Sequence, residues 1–194
     1  MNHIGNIVLF GNKKSGKTEL AKQMVYSIAT DTLVEYRVLV FSDNDDYKCI
    51  LNMPYINENH KIRFQILRIK ELDYSYLKKR LLNKKYPMVF CVDNIDNYIS
   101  EYGKNEKATN LIDFLHYVCE MSKAFEAYVM LIGENIKEAI EVEPIRRMVV
   151  NADKKFILKQ SEEQINILKE MFKLSDDQVN KIKALKEYQS LMLS

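Results

Sequence analysis

The sequence predicts an α/β fold in which a mostly parallel sheet lies between two layers of helices, a three-layer αβα sandwich. Short apolar runs alternate along the chain with amphipathic patterns of helical period, which is the order of βαβ units. The apolar runs are continuous, as in residues 88–92, which is typical of strands buried on both faces. A length of 194 residues suits one such domain, so we expect a single domain over residues 1–194.

Six apolar or β-branched runs predict six strands. They lie at residues 7–10, 37–42, 62–66, 88–93, 128–133 and 155–159. Apolar residues spaced three to four apart predict helices between them. The clearest sets are Leu20, Met24 and Ile28, then Leu111, Leu115 and Val118, then Ile165, Leu168 and Phe172.

Two capping boxes occur near the end of the chain. Ser161 is followed by Gln164, and Ser175 is followed by Gln178. In a capping box the hydroxyl and the amide satisfy free N–H groups at a helix start. These residues predict that the chain ends in two short helices within about residues 161–194.

Charge and composition exclude several classes of protein. The 29 basic and 27 acidic side chains give a net charge of +2, which alone indicates no nucleic-acid surface. No apolar run approaches the roughly 18 residues that span a bilayer, and the first strand leaves no room for a signal peptide. The three cysteines and three histidines have no disulfide or metal-ligand spacing. We expect a cytoplasmic protein with reduced cysteines and no membrane insertion.

The most specific motif is G-x-x-x-x-G-K-[ST], which residues 11–18 match between a predicted strand and a predicted helix. Two glycines let the backbone curl so that its N–H groups point inward at an anion, and the following helix presents its positive end to the same anion. Lys17 is expected to reach the β- and γ-phosphates of ATP, and the Thr18 hydroxyl to bind Mg²⁺. The predicted phosphate-binding residues are Gly11, Asn12, Lys13, Lys14, Ser15, Gly16, Lys17 and Thr18.

A second part of such a site is an acidic residue at the end of a buried strand, which holds the magnesium shell opposite the loop. Asp93 fits this role, although a plain turn residue is the alternative. Asn94 follows, where many ATPases carry a glutamate that polarises the attacking water. Because an amide positions water without taking its proton, we expect either slow hydrolysis or substitution by Asp96.

Asn135 follows the fifth predicted strand, after Gly133 and Glu134. A polar side chain there can sense the γ-phosphate. It can equally cap the helix that begins at Ile136. The sequence leaves both roles open.

Taken together, these motifs resemble the HerA/FtsK superfamily of P-loop NTPases, including the motor domains of type IV secretion and conjugation ATPases and the compact packaging ATPases of some viruses. Three further segments carry the resemblance: residues 38–43, a strand that ends in the acidic Asp43, and residues 155–160 and 172–175 near the end of the chain. The resemblance implies a RecA-like sheet and an oligomeric ATPase that couples hydrolysis to DNA translocation, transfer or packaging.

The resemblance also implies partners. Such motors form rings, often hexamers, in which a basic residue of one subunit completes the site of the next, and Lys123 falls near that position. DNA and secretion or packaging proteins are the implied partners. Three residues depart from the family pattern: Asn94 replaces a glutamate, Asn135 a glutamine and Lys123 an arginine, whose planar fork suits phosphate better.

The sequence also leaves other interpretations of its surface and function open. A predicted helix with Lys78, Lys79, Arg80, Lys84 and Lys85 is either a DNA-binding surface or a solvated face. One alternative function is a nucleotide-binding adaptor that barely hydrolyses ATP. Another is a small-molecule kinase, which needs an arginine-rich lid. For that lid the sequence offers only the adjacent pair Arg146 and Arg147.

Overall fold

The computed structural model describes residues 4–42, 45–53, 63–68, 73–82 and 85–193. Several predictions fall outside these ranges. They concern the acidic turn at Asp43 and Asn44, the first residue of the third predicted strand, and Lys84 of the basic helix.

Helices and strands alternate along the described residues. In chain order they are β1 (Ile7–Phe10), α1 (Lys17–Ala29), β2 (Arg37–Phe41), a 3₁₀ helix (Lys48–Asn52), β3 (Phe64–Leu67), α2 (Tyr74–Leu82), β4 (Met88–Val92), α3 (Asp96–Ile99), α4 (Glu106–Glu120), α5 (Ser122–Phe125), β5 (Ala127–Gly133), α6 (Ile136–Glu141), α7 (Glu143–Asn151), β6 (Lys154–Leu158), α8 (Glu162–Phe172), α9 (Asp176–Lys183) and β7 (Ser190–Leu193).

The described strands form one sheet in the order β3-β2-β4-β5-β1-β6-β7. Strands β1 to β6 run parallel to their neighbours, and only β7 is antiparallel, to β6. The phosphate-loop strand β1 lies between β5 and β6, and β5 separates it from β4. The predicted α/β class and mostly parallel sheet are confirmed.

Side chains alternate between the two faces of the sheet, and each face builds its own core. On one face, Leu9 and Val40 pack with Val25 of α1. On the other, Phe90 meets Phe114 of α4 edge to face, with ring centroids 5.3 Å apart. Because helices cover both faces, the three-layer sandwich is confirmed, and the carboxyl ends of the parallel strands are left as the open edge where ligands bind in such sheets.

The end of the chain differs from the prediction. Helices α8 and α9 form as expected, but the chain then continues into β7 instead of ending in a helix. The Ser175 and Gln178 capping box is complete. In the other predicted box Ser161 caps α8, whereas the Gln164 side chain turns to the loop after β5.

Among the described residues, no helix combines the length and the apolar character needed to cross a bilayer.

Candidate nucleotide-binding site

The loop between β1 and α1 is fixed to the neighbouring strand ends. The Gly11 N–H donates to the Gly133 carbonyl at 3.3 Å, and the Asn12 N–H donates to the Lys159 carbonyl at 2.8 Å. Lys14 and Gly16 have positive φ angles of 64° and 96°. Left-handed residues in such a turn curl successive N–H groups into a concave nest, which is an anion site.

Several features of the loop fit phosphate. A Cβ atom at Gly11 would lie only 2.5 Å from Ser15 Oγ, so the loop closes this tightly only with glycine there. In the part of the chain that the structure describes, the buried Ser15 hydroxyl has no hydrogen-bond partner. The first N–H groups of α1 face the same pocket without intrahelical acceptors, and they add the positive end of the helix dipole.

Lys17 lies almost wholly inside the site, with 6% of its surface exposed. Its Nζ donates to the Asn12 carbonyl at 2.9 Å and forms an ion pair with Glu134 Oε1 at 3.3 Å. The lysine therefore extends along the loop to the end of β5.

Thr18 and Asp93 meet across the site. The Thr18 hydroxyl donates to Asp93 Oδ2 at 3.2 Å, and the Asn94 N–H donates to Oδ1 at 2.9 Å. Burial raises the pKa of the Asp93 carboxyl, and these hydrogen bonds oppose the rise. A hydroxyl and a carboxylate are oxygen ligands of the kind that Mg²⁺ takes.

No group of three or more His, Cys, Asp or Glu side chains among the described residues could hold a metal ion by itself. The Thr18 and Asp93 oxygens alone cannot complete an octahedral shell. Phosphate oxygens and water would have to supply the remaining ligands, as is usual for Mg²⁺ that arrives with a nucleotide.

Lys17 and Thr18 border a cavity of about 320 Å³, a volume within the usual range for small-molecule sites. Its lining includes residues of the loop and the start of α1, together with Asn94, Glu134, Glu187 and Tyr188. A larger cavity of about 400 Å³ lies between α2 and α4. Its lining is mostly apolar, whereas the lining of the smaller cavity is mostly polar.

The structure places Asp96 and Asn135 beside this cavity in supporting positions. The two Asp96 oxygens accept the N–H groups of Glu134 and Asn135, each at 2.8 Å. The Asn135 side chain accepts the Lys137 and Glu138 N–H groups. The Asn135 side chain therefore caps α6, and Asp96 anchors the loop between β5 and α6.

Sequence reasoning missed Glu134 as a functional candidate. Glu134 directly follows β5 and precedes Asn135; it lines the cavity and forms the ion pair with Lys17. The sequence feature that could have identified Glu134 is its position as a polar residue immediately after a buried strand.

Glu187 and Tyr188 were also missed. They reach the cavity because β7 adds to the edge of the sheet and brings the preceding segment over the loop. No motif marks either residue, and the edge strand was itself not predicted.

Lys123 lies away from the other predicted site residues. Helix α5 ends just before β5 begins, so Lys123 is at the amino edge of the parallel sheet, opposite the loop of its own chain. It is exposed. Within one subunit it cannot reach the cavity.

The charged surfaces are partly occupied by internal contacts. Arg146 and Arg147 both pair with Glu143 of their own helix, at 3.7 and 2.9 Å, which disfavours a mobile arginine lid. In the basic helix α2, Arg80 donates to Gln65, while Lys78 and Lys79 are exposed. The exposed pair is what remains of the predicted DNA-binding surface on α2.

No protein-family model matches the sequence, and a search of the curated proteins finds no match. Many solved structures are similar in fold, including the following three. The genome packaging NTPase B204 from Sulfolobus turreted icosahedral virus 2, in complex with AMP, is 18% identical over 99% of this chain and 93% of its own, with a TM-score of 0.62. VirB4 of Thermoanaerobacter pseudethanolicus is 9% identical over 97% of this chain and 86% of its own, with a TM-score of 0.72.

The third structure, EssC (ATPases 2 and 3) from Geobacillus thermodenitrificans, is 11% identical over 97% of this chain and 37% of its own, with a TM-score of 0.64. Identities this low establish the fold alone. The neighbours match the predicted resemblance, and the fold is that of the RecA-like P-loop NTPases.

Proposed function

We propose that this protein is an ATPase that binds ATP with Mg²⁺ at the carboxyl edge of its sheet. The observation that carries the proposal is the meeting of the phosphate loop with the end of β4, where Thr18 Oγ1 lies 3.2 Å from Asp93 Oδ2. A glycine-rich nest, a lysine, a hydroxyl and a buried carboxylate are the shared parts of P-loop NTPases. Similar structures described as NTPases in complex with AMP or ATP-gammaS support the proposal.

In the proposed complex, the nest and the first turn of α1 hold the phosphates. Lys17 exchanges the Glu134 carboxylate for β- and γ-phosphate oxygens, which carry more negative charge. Thr18 and Asp93 would hold Mg²⁺, which when bound neutralises charge on the same phosphates. Three free cysteines suit the reducing cytoplasm, where ATP is supplied.

Hydrolysis needs a group that positions water at the γ-phosphorus. The water oxygen attacks that phosphorus, the bond to the bridging oxygen breaks, and ADP and phosphate leave. Asn94 can orient the water, and Glu134 can accept its proton once Lys17 has turned to the phosphates. We assign Glu134 this role because both oxygens of Asp96 already accept backbone N–H groups.

Phosphate release with MgATP tests the assignment. Glu134→Gln keeps the size of the side chain but removes the base, so the turnover rate should fall about 10²- to 10⁴-fold. The matched control is Glu141→Gln, an exposed glutamate of α6, which should keep the parent rate. Parent-like turnover in Glu134→Gln would remove Glu134 from the mechanism.

A second candidate function is a nucleotide-binding adaptor with little turnover, and Asn94 at the usual glutamate position favours it. Asn94→Glu separates the two. A large gain in turnover, together with no loss in Glu134→Gln, would support a dormant site in the parent protein. No gain would favour Glu134 as the working base.

We further propose that hydrolysis drives DNA through an oligomeric ring that works with secretion or packaging proteins. Support comes from the neighbours described as a genome packaging NTPase and a DNA-packaging ATPase. Lys78 and Lys79 of α2 offer an exposed basic pair for phosphate contacts. DNA should raise ATP turnover, and that gain should fall steeply with salt.

Charge reversal tests the DNA surface. The double variant Lys78→Glu and Lys79→Glu should keep basal turnover but lose DNA stimulation. The control carries the same charge change at the exposed Lys169 and Lys173. Equal loss in both variants would show that total charge, not this surface, governs the response.

The molecular mass of the protein in solution, measured with ATP and DNA present, tests whether the ring forms.

A further inference from the structure

The segment before β7 crosses the phosphate loop. β7 pairs with β6, and β6 lies beside the loop strand β1. The Tyr188 N–H donates to the Ser15 carbonyl at 2.9 Å, which ties this segment to the loop itself. Tyr188 has a positive φ of 63°, a conformation that L-residues with bulky side chains rarely adopt. Residues with such strained backbone conformations are often found at functional sites.

The Tyr188 ring rests on Gly16. A Cβ atom at Gly16 would lie 2.6 Å from Tyr188 Cδ1 and 3.1 Å from Tyr188 Cα, so the contact needs a glycine in the loop. The residue nevertheless remains 73% exposed. The ring is therefore anchored at one edge while most of its surface is open.

The open surface belongs to the nucleotide cavity. Tyr188 and Glu187 line it together with Gly16, Thr18 and Glu19 at the start of α1. Asn94 and Glu134, the residues proposed to act at the γ-phosphate, also border this cavity. A nucleotide whose terminal phosphate lies near Asn94 and Glu134, and whose other phosphates lie on the loop and the first turn of α1, extends its sugar and base beyond them, toward Tyr188.

We propose that Tyr188 is the platform on which the base of the bound nucleotide stacks. The inference rests on the proposed nucleotide function and adds a base-binding subsite to it. Aromatic side chains bind bases through their π-faces, and stacking tolerates any base. Tyr188 would therefore contribute affinity for a nucleoside without choosing between adenine and guanine.

Calorimetric titration separates the base from the phosphates. Tyr188→Ala should weaken MgATP binding about 5- to 150-fold, the loss expected for one stacking contact, but leave the affinity for magnesium tripolyphosphate unchanged. Tyr188→Phe should restore ATP binding because it keeps the ring. Tyr76→Ala, an exposed tyrosine of α2, serves as the matched control. Equal loss for both ligands would mean that Tyr188 only holds the loop in shape, and the platform would be rejected.

Fluorescence gives a second, independent readout. The chain contains no tryptophan, so Tyr188→Trp introduces a single reporter. Stacking on a base should quench its emission when MgATP is added, whereas tripolyphosphate should not, and Tyr76→Trp should respond to neither. If the parent protein binds ATP through Lys17 but the emission of Tyr188→Trp is not quenched by MgATP, this inference alone is overturned. Parent protein that binds neither ligand would overturn the proposed function instead.

Discussion

Lys17 brings a positive charge into a site that little solvent reaches. Glu134 balances it at 3.3 Å, and the glutamate side chain is itself 42% exposed. Loss of the lysine therefore leaves a carboxylate that water can hydrate, and the fold should survive the change.

We predict that Lys17→Ala keeps the folded structure but binds ATP about 10- to 150-fold more weakly, because one charge-assisted hydrogen bond to phosphate is worth ~1.5–3 kcal/mol. Circular dichroism checks the fold and calorimetry checks the affinity. Lys169→Ala, an exposed lysine of α8, is the control. An unchanged ATP affinity in Lys17→Ala would contradict the site assignment.

Asp93 gives a prediction that depends on pH. Because burial raises the pKa of its carboxyl, the folded protein binds that proton more readily than the unfolded chain does. The charge of Asp93 therefore destabilises the fold at neutral pH, and this cost disappears as pH falls through the raised pKa and then through the ordinary one.

We predict that Asp93→Asn raises the melting temperature at neutral pH and that this gain shrinks on acidification, because the variant lacks the buried charge. We also predict that magnesium no longer strengthens ATP binding in this variant, because a ligand of the metal is lost. Melting curves at several pH values and titrations with and without Mg²⁺ measure both effects. A melting temperature below the parent value at neutral pH would show that the hydrogen bonds of the carboxylate outweigh its burial.

Elements with strong local patterns were predictable. Six of the seven described strands overlap the predicted runs, because a buried parallel strand is a continuous apolar segment. The missed strand β7 has four residues and lies half-exposed at the sheet edge, so only its pairing with β6 makes it a strand. The phosphate loop was likewise local in sequence, whereas Glu134, Glu187 and Tyr188 meet it only through the folded sheet.

Helix α8 shows how a local motif can be used for a distant contact. Gln164 was expected to close a capping box with Ser161. Its Oε1 instead accepts the Ile136 N–H at 2.9 Å, and its Nε2 donates to Asn135 Oδ1 at 3.1 Å. The side chain thus holds the cap of α6, next to Glu134.

We predict that Gln164→Ala destabilises the protein by about 1–2 kcal/mol, since two partly buried hydrogen bonds are lost, and lowers ATP turnover several-fold as the loop with Glu134 loosens. Chemical unfolding and phosphate release measure the two effects. Gln178→Ala breaks the true capping box at α9 and should reduce stability alone. Parent-like turnover in Gln164→Ala would show that α8 does not position the loop.

The whole sheet separates two groups of residues that the resemblance connects. The loop, Asp93 and Glu134 lie at the carboxyl edge, and Lys123 lies at the amino edge. No rearrangement within one parallel sheet brings these edges together. If Lys123 acts on ATP, it acts on the site of a neighbouring subunit.

Mixing two inactive variants tests this arrangement. Lys17→Ala keeps Lys123 but cannot bind phosphate well, and Lys123→Ala keeps the loop but lacks the neighbour's cation. Random equal mixing in a ring pairs an intact loop with an intact Lys123 at about one quarter of the interfaces. We therefore predict about one quarter of parent turnover in the mixture, with much less in either variant alone.

Two controls accompany this test. Light scattering must show that mixed rings form, and Lys123→Arg should retain activity because arginine also binds phosphate. Full activity in Lys123→Ala by itself, or a mixture that only averages its two components, would exclude Lys123 from the site.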